Sequence, residues 1–152
     1  VSRQTGGAKA NALGYLIQRF LLNALESHLP DWDFSKKFVP GVNERTMNGE
    51  QTTAKFDIVA TSPSGVCWAI ESSFQFTTNS TIERKAGQAP ARRKALNDIG
   101  HKIVYAIDGA GNFERSAALQ SIIESSDCTI NFNPSDIEQL AKVMEGEERN
   151  AS

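Results

Sequence analysis

An α/β fold, a mixed β-sheet flanked by helices on both faces, is predicted for this 152-residue chain by three observations. The runs "HKIVYAID" and "DCTINF" are continuously apolar, the mark of strands covered above and below. A helically spaced segment lies between them, and a strand–helix–strand order implies a parallel crossover. Upstream, "FDIVATSPSGVCWAIESSFQ" has the form of two strands joined by a tight Ser-Pro-Ser-Gly turn, which adds an antiparallel pair to the sheet.

The elements follow in order. Leu13, Leu16, Ile17, Phe20, Leu21, Ala24 and Leu25 recur at helical spacing over 10–29, an amphipathic helix ended near Pro30. "PDWDFSKKFVPGVNERTMNGEQTT" is rich in Pro, Gly and Asn and predicts a long irregular connection with one short strand at most. Residues 54–61 and 66–76 are the hairpin strands. "NSTIERKAGQAPARRKALNDIG" is helical in character with Pro90 as an internal break. After the "HKIVYAID" strand come a "GAGN" turn, a helix in "FERSAALQSIIESS" and the "DCTINF" strand. A last helix over "NPSDIEQLAKVMEG" is capped by Asn133 or Ser135, and the tail "EERNAS" is expected to fray.

The length suits one domain over 1–152, and the start at Val1 is compatible with the catalytic part of a longer protein. Cys67 and Cys128 sit in apolar runs at a spacing that fits no zinc site, which predicts reduced core cysteines in a cytoplasmic protein. No apolar run is long enough to span a bilayer, and no signal peptide is visible at the N-terminus. His28 and His101 lack a nucleophile context, so a hydrolase triad is not expected. "DGAGN" lacks the third glycine of a dinucleotide fingerprint and reads as a turn.

The hairpin carries the chemistry. Strand interiors are depleted in acidic residues, yet each strand of this one holds a carboxylate, Asp57 and Glu71. Side chains alternate across a strand, so one register places Asp57, Glu71, Ser73 and Gln75 on a common face while Trp68, Ile70 and Phe74 pack on the other. Two carboxylates held close repel unless a cation lies between them. Their oxygens suit a hard ion, Mg²⁺ above all, with Mn²⁺ as a substitute; such an ion can activate water against a phosphodiester. The plainer reading of the pair is a solvated edge hairpin.

"FDIV", "AIESSFQ", "NSTIERKAG" and "YAIDGAGNF", in this α-β-β-α-β order, resemble the cores of the PD-(D/E)xK nuclease superfamily and of type II restriction endonucleases within it. The resemblance covers about residues 10–145. It implies a restriction-endonuclease-like fold, Mg²⁺-dependent cleavage of double-stranded DNA and a homodimer. It also implies Asp57 and Glu71 as metal ligands, with the backbone carbonyl of Ser72 as a third. Where that family most often has lysine, two residues after the glutamate, this chain has Ser73. Gln75 on the same face could position the attacking water, and Lys85 could supply the missing charge. Gln18 or Glu26 on the first helix would face the metal.

Between Ser80 and Lys102 the chain is locally basic, with an excess of four positive charges against a net charge of −2 overall. Arg84, Lys85, Arg92 and Arg93 are expected to meet DNA phosphates, and the helix start at Asn79 and Ser80 to offer backbone N–H groups. Ser80 and Glu83 also have the spacing of a capping box. Two rivals to a restriction enzyme remain at this point: a DNA-binding module without catalysis, which Ser73 favours, and a repair or junction nuclease.

Overall fold

The computed structural model describes the backbone of residues 2–74, 81–108 and 116–151, and the side chains of 14–73, 82–107 and 117–151. Helix α1 (Ser2–His28) leads into a two-stranded antiparallel ribbon, β1 (Phe38–Arg45) and β2 (Gln51–Lys55). The chain then enters the main sheet through β3 (Ile58–Thr61) and β4 (Cys67–Phe74). Helix α2 (Thr81–Asn97), β5 (Lys102–Asp108), α3 (Ser116–Glu124), β6 (Cys128–Ile130) and α4 (Pro134–Ala151) complete it.

The main sheet has the order β3-β4-β5-β6, with β3 antiparallel to β4 and the remaining pairs parallel. This is the mixed sheet that the strand order predicts. Alternation sorts its side chains between two cores. Ile58, Ala60, Trp68, Ile70, Val104 and Ala106 pack with Leu21 and Leu25 of α1 and with Ile137, Leu140 and Met144 of α4. Val59, Cys67, Ala69, Ile103, Tyr105 and Ile107 pack with Ile82, Ala89 and Leu96 of α2, Ile122 of α3 and Val39, Val42, Ala54 and Phe56 at the ribbon. Glu71 and Ser73 share parity with Cys67 and Ala69, so they lie under α2.

Local chemistry fixes the ends. The Ser62–Gly65 turn closes with Ser62 N donating to Val66 O at 2.8 Å, and Gly65 takes φ +95°, a conformation that costs glycine nothing. Gly100, at φ +84°, ends α2 as His101 N reaches back to Leu96 O at 2.8 Å, a Schellman closure. Asn133 caps α4, its Oδ1 accepting from Asp136 N at 2.7 Å.

Several elements differ from the sequence expectation. The predicted irregular connection holds the β1–β2 ribbon. The predicted strand over 54–61 is broken at Phe56–Asp57, where the chain bends out of the ribbon and into the main sheet. Helix α2 runs through Pro90, which is exposed; its buried positions 82, 85, 86, 89, 92 and 96 form one uninterrupted stripe. The "DCTINF" strand is a three-residue edge, with Cys128 only half-buried. On α1, Leu16 and Phe20 are exposed, so the buried stripe is narrower than the apolar one. The tail expected to fray is helical to Ala151, and Glu148 in it accepts from Ser64 N and Oγ at 2.9 and 2.8 Å. Residues 109–115, expected to hold the "GAGN" turn, lie outside the described residues. Among the described residues no helix is long and apolar enough to cross a membrane.

Candidate active site

Asp57 and Glu71 meet where the ribbon joins the sheet. The β3–β4 register pairs Ile58 with Ile70, so the next step outward sets Asp57 opposite Glu71. Asp57 N donates to Glu71 Oε2 at 3.2 Å. Ser72 N and Ser72 Oγ donate to Asp57 Oδ2 at 2.9 and 3.3 Å, which orients that carboxylate across the hairpin. From α1, Gln18 Nε2 donates to Asp57 O at 3.0 Å. Gln18, expected to face a metal, therefore positions the backbone, while Glu26 is exposed near Pro30 and Trp32.

The charge that Ser73 lacks arrives from the helix. Lys85 Nζ lies 3.0 Å from Asp57 Oδ2 and 3.3 Å from Glu71 Oε2, with its side chain almost wholly buried. Seven residues on, along the same helix face, Arg92 Nη1 pairs with Glu71 Oε1 and Arg92 Nε with Glu44 Oε1 at 2.6 Å. The Arg92 guanidinium also stacks on Phe56, 4.7 Å from the ring centroid. Each Glu71 oxygen thus has its own cation, while Lys85 is shared by both carboxylates.

These contacts split the two acids. Burial raises the Asp57 carboxyl, but the Lys85 charge and the hydrogen bonds from the Glu71 and Ser72 side outweigh it and hold the group below the usual carboxylate range. Glu71 is more deeply buried and faces the Asp57 charge, and it is pushed up to about 7 despite Lys85 and Arg92. The pair therefore ionises in two steps, Asp57 first. Tyr105, opposite Glu71 on β5, has its phenol pushed well up by burial and by the Glu71 charge, and stays neutral.

Lys85 serves as a stand-in ion. Its ammonium shows that Asp57 Oδ2 and Glu71 Oε2 converge on one cation position, so the donor set fits a single oxygen-ligated ion in place of that ammonium. Among the described residues no group of three or more His, Cys, Asp and Glu side chains forms. An ion here would draw on two carboxylates and on backbone, water or phosphate oxygens, a set that Mg²⁺ accepts.

The basic helix divides by face. Arg92, expected at DNA, is turned inward because its position shares the buried stripe with Lys85. Arg93 is spent on Glu124 O at 3.0 Å and Asp127 Oδ1 at 3.4 Å, near the start of β6. Lys94 pairs with Asp98 at 2.6 Å. Arg84 is exposed and in no ion pair among the described residues. Ser73 is buried, on the same face as Glu71. Gln75, Asn79 and Ser80 lie outside the described residues. Glu44 is the site residue that sequence reasoning missed, since an isolated glutamate in a supposed loop carries no signal.

Residues 1–148 match the family described as the BanI C-terminal domain. The type II restriction enzyme BanI of Aneurinibacillus aneurinilyticus is 44% identical over 144 residues, covering 95% of this chain and 40% of that protein. The type II restriction enzyme HgiCI of Herpetosiphon aurantiacus is 42% identical over 146 residues, covering 95% and 42%. The chain thus spans about two fifths of the length of these curated relatives. No solved structure matches it.

Proposed function

The chain belongs to the BanI C-terminal domain family, and from that premise we propose that it carries the catalytic centre of a type II restriction endonuclease. In this reading it hydrolyses phosphodiester bonds of double-stranded DNA in the cytoplasm with a divalent ion, Mg²⁺ or in its place Mn²⁺. The observation that carries the reading is the convergence of Asp57 and Glu71 on one cation position, at 3.0 and 3.3 Å from Lys85 Nζ. It is a PD-(D/E)xK-like arrangement in which the lysine comes from α2 instead of strand position 73.

Asp57 and Glu71 would hold the ion, with the Ser72 carbonyl as a further oxygen. When bound, the ion supplies Lewis-acid polarisation of the phosphate and a readily ionised water. Arg92 keeps Glu71 Oε1 occupied, so Oε2 is the oxygen presented to the site. Lys85, released from the carboxylates, puts positive charge where the phosphate gains negative charge. Ser73 and Gln75 remain the candidates for orienting the water, and Arg84, Asn79 and Ser80 for touching DNA. Palindromic DNA favours a homodimer. Lys85 supplies the charge that Ser73 lacks, which supports catalysis over a silent DNA-binding module.

Plasmid DNA incubated with the chain and Mg²⁺ tests this. Discrete fragments, lost in Glu71→Gln, are expected. A smear would move the reading to a nuclease without sequence specificity, and DNA binding without cleavage would move it to the silent module.

A further inference from the structure

Most cations of α2 are already engaged: Lys85 and Arg92 with the site carboxylates, Arg93 with Asp127 and Lys94 with Asp98. DNA drawn to Asp57 must therefore find positive charge elsewhere. A small cleft opens on the other side of Asp57, between α1 and the segment before β1; Tyr15, Gln18, Arg19, Lys36, Lys37 and Asp57 line it beside three apolar side chains. Arg19, Lys36 and Lys37 are exposed, and none is in an ion pair among the described residues.

Both walls are pinned to the Phe56–Asp57 link between ribbon and sheet. Gln18 Nε2 holds Asp57 O at 3.0 Å, which fixes Arg19 one residue along α1. Phe56 N donates to Lys37 O at 2.8 Å, which fixes Lys37 beside the residue that precedes Asp57. The cleft measures about 90 Å³. That leaves room for several waters, and so for a group of phosphate size.

We propose that this cleft seats a DNA backbone phosphate next to the one that reacts, with Arg19, Lys36 and Lys37 as its cationic partners. The assignment rests on the nuclease reading above and adds to it the strand-holding site. Arg19 offers a planar fork that suits phosphate oxygens, and the two lysines add point charges. The seat lies across Asp57 from α2, so the strand would pass over the carboxylate pair, from this cleft toward Arg84.

Anisotropy of a fluorescein-labelled mixed-sequence duplex, titrated without metal over a range of salt, tests the assignment. The triple variant Arg19→Ala/Lys36→Ala/Lys37→Ala is expected to bind about tenfold or more weakly, with a log–log salt slope shallower by about 2 to 3. The charge-matched control Lys94→Ala/Lys102→Ala/Lys142→Ala should stay within about twofold of the wild type. Mg²⁺ calorimetry should show the carboxylate pair intact in the triple variant. If the triple melts early, Lys36→Gln/Lys37→Gln leaves α1 untouched and is read the same way. An unchanged slope in the cleft variants, or an equal loss in the control, overturns the phosphate seat alone. A wild type that binds no duplex overturns the nuclease reading and this seat with it.

Discussion

Replacing Lys85 by Met keeps a long apolar stem on the buried face of α2 and removes the ammonium shared by Asp57 and Glu71. Breaking a buried ion pair by deleting one partner costs about 3–5 kcal/mol. Here Glu71 keeps Arg92, and Asp57, with its side chain 30% exposed, keeps water and the Ser72 bonds. The low end, about 3 kcal/mol, is therefore expected in metal-free protein near pH 8. For a chain of this size that is a fall of about 6–12 °C in Tm. Glu71 is pushed up to about 7, and below that pH a proton cancels much of the repulsion, so the loss should shrink on acidification. Mg²⁺ should return most of the stability, since an ion at about a hundred times its Kd contributes about 2.7 kcal/mol. The return should exceed that in the wild type, where the ion must displace Lys85. Thermal melts with and without Mg²⁺ at the two pH values are the assay, with cleavage at saturating Mg²⁺ expected to fall about a hundredfold or more. Equal melting of variant and wild type at high pH, with the same Mg²⁺-induced shift, would refute the reasoning.

Three further outcomes are expected. Glu71 moves from 4.5 to about 7 on folding, so its contribution to stability is complete below 4.5 and is lost as pH rises through about 7. That is about 3 kcal/mol in all; urea midpoints of metal-free protein across this range should fall with pH, and Glu71→Gln should flatten the profile. Arg92→Met strands Glu71 Oε1 and should cost about 3 kcal/mol, whereas Glu44→Gln, at a partly exposed acid, should cost about 1 or less; denaturant melts separate the two. Ser73→Ala should retain cleavage to within about tenfold because the ammonium comes from Lys85. Ser73→Lys should not raise the rate, since a lysine at this buried position overpacks the site by about 1–3 kcal/mol.

The sheet and the carboxylate pair were legible because both follow from parity. Period-two alternation in "VCWAIESSF" determines which residues share a face, and continuous apolarity in "HKIVYAID" marks the strand that sits between two others. The β1–β2 ribbon was missed: "VPGVNERTMNGEQTT" carries Pro, two Gly and few apolar residues, and its one signal was Asn48-Gly49, the turn where Gly49 takes φ +81°. Counting charge along α2 concealed its geometry. Lys85 and Arg92 lie seven residues apart, on the stripe of Ile82, Ala86, Ala89 and Leu96, so a helical projection would have turned both inward. Glu44 could not be found at all, because its meaning depends on a partner 48 positions away.

Phe56 and Asp57 are the covalent link from the ribbon to the main sheet, while Val39, Val42 and Ala54 tie the two through a shared core. Arg92 spans that link as a strut, on Glu44 in the ribbon and on Glu71 in the sheet, with its guanidinium over the Phe56 ring. A strut turns rotation into load at its ends. Swinging the ribbon outward must either part Arg92 from Glu44 or draw it off Glu71. The second leaves a buried carboxylate with less positive charge around it, which favours its protonated form. Only in that second case does the angle of the ribbon bear on the proton of Glu71; in the first, the buried pair with Arg92 stays whole.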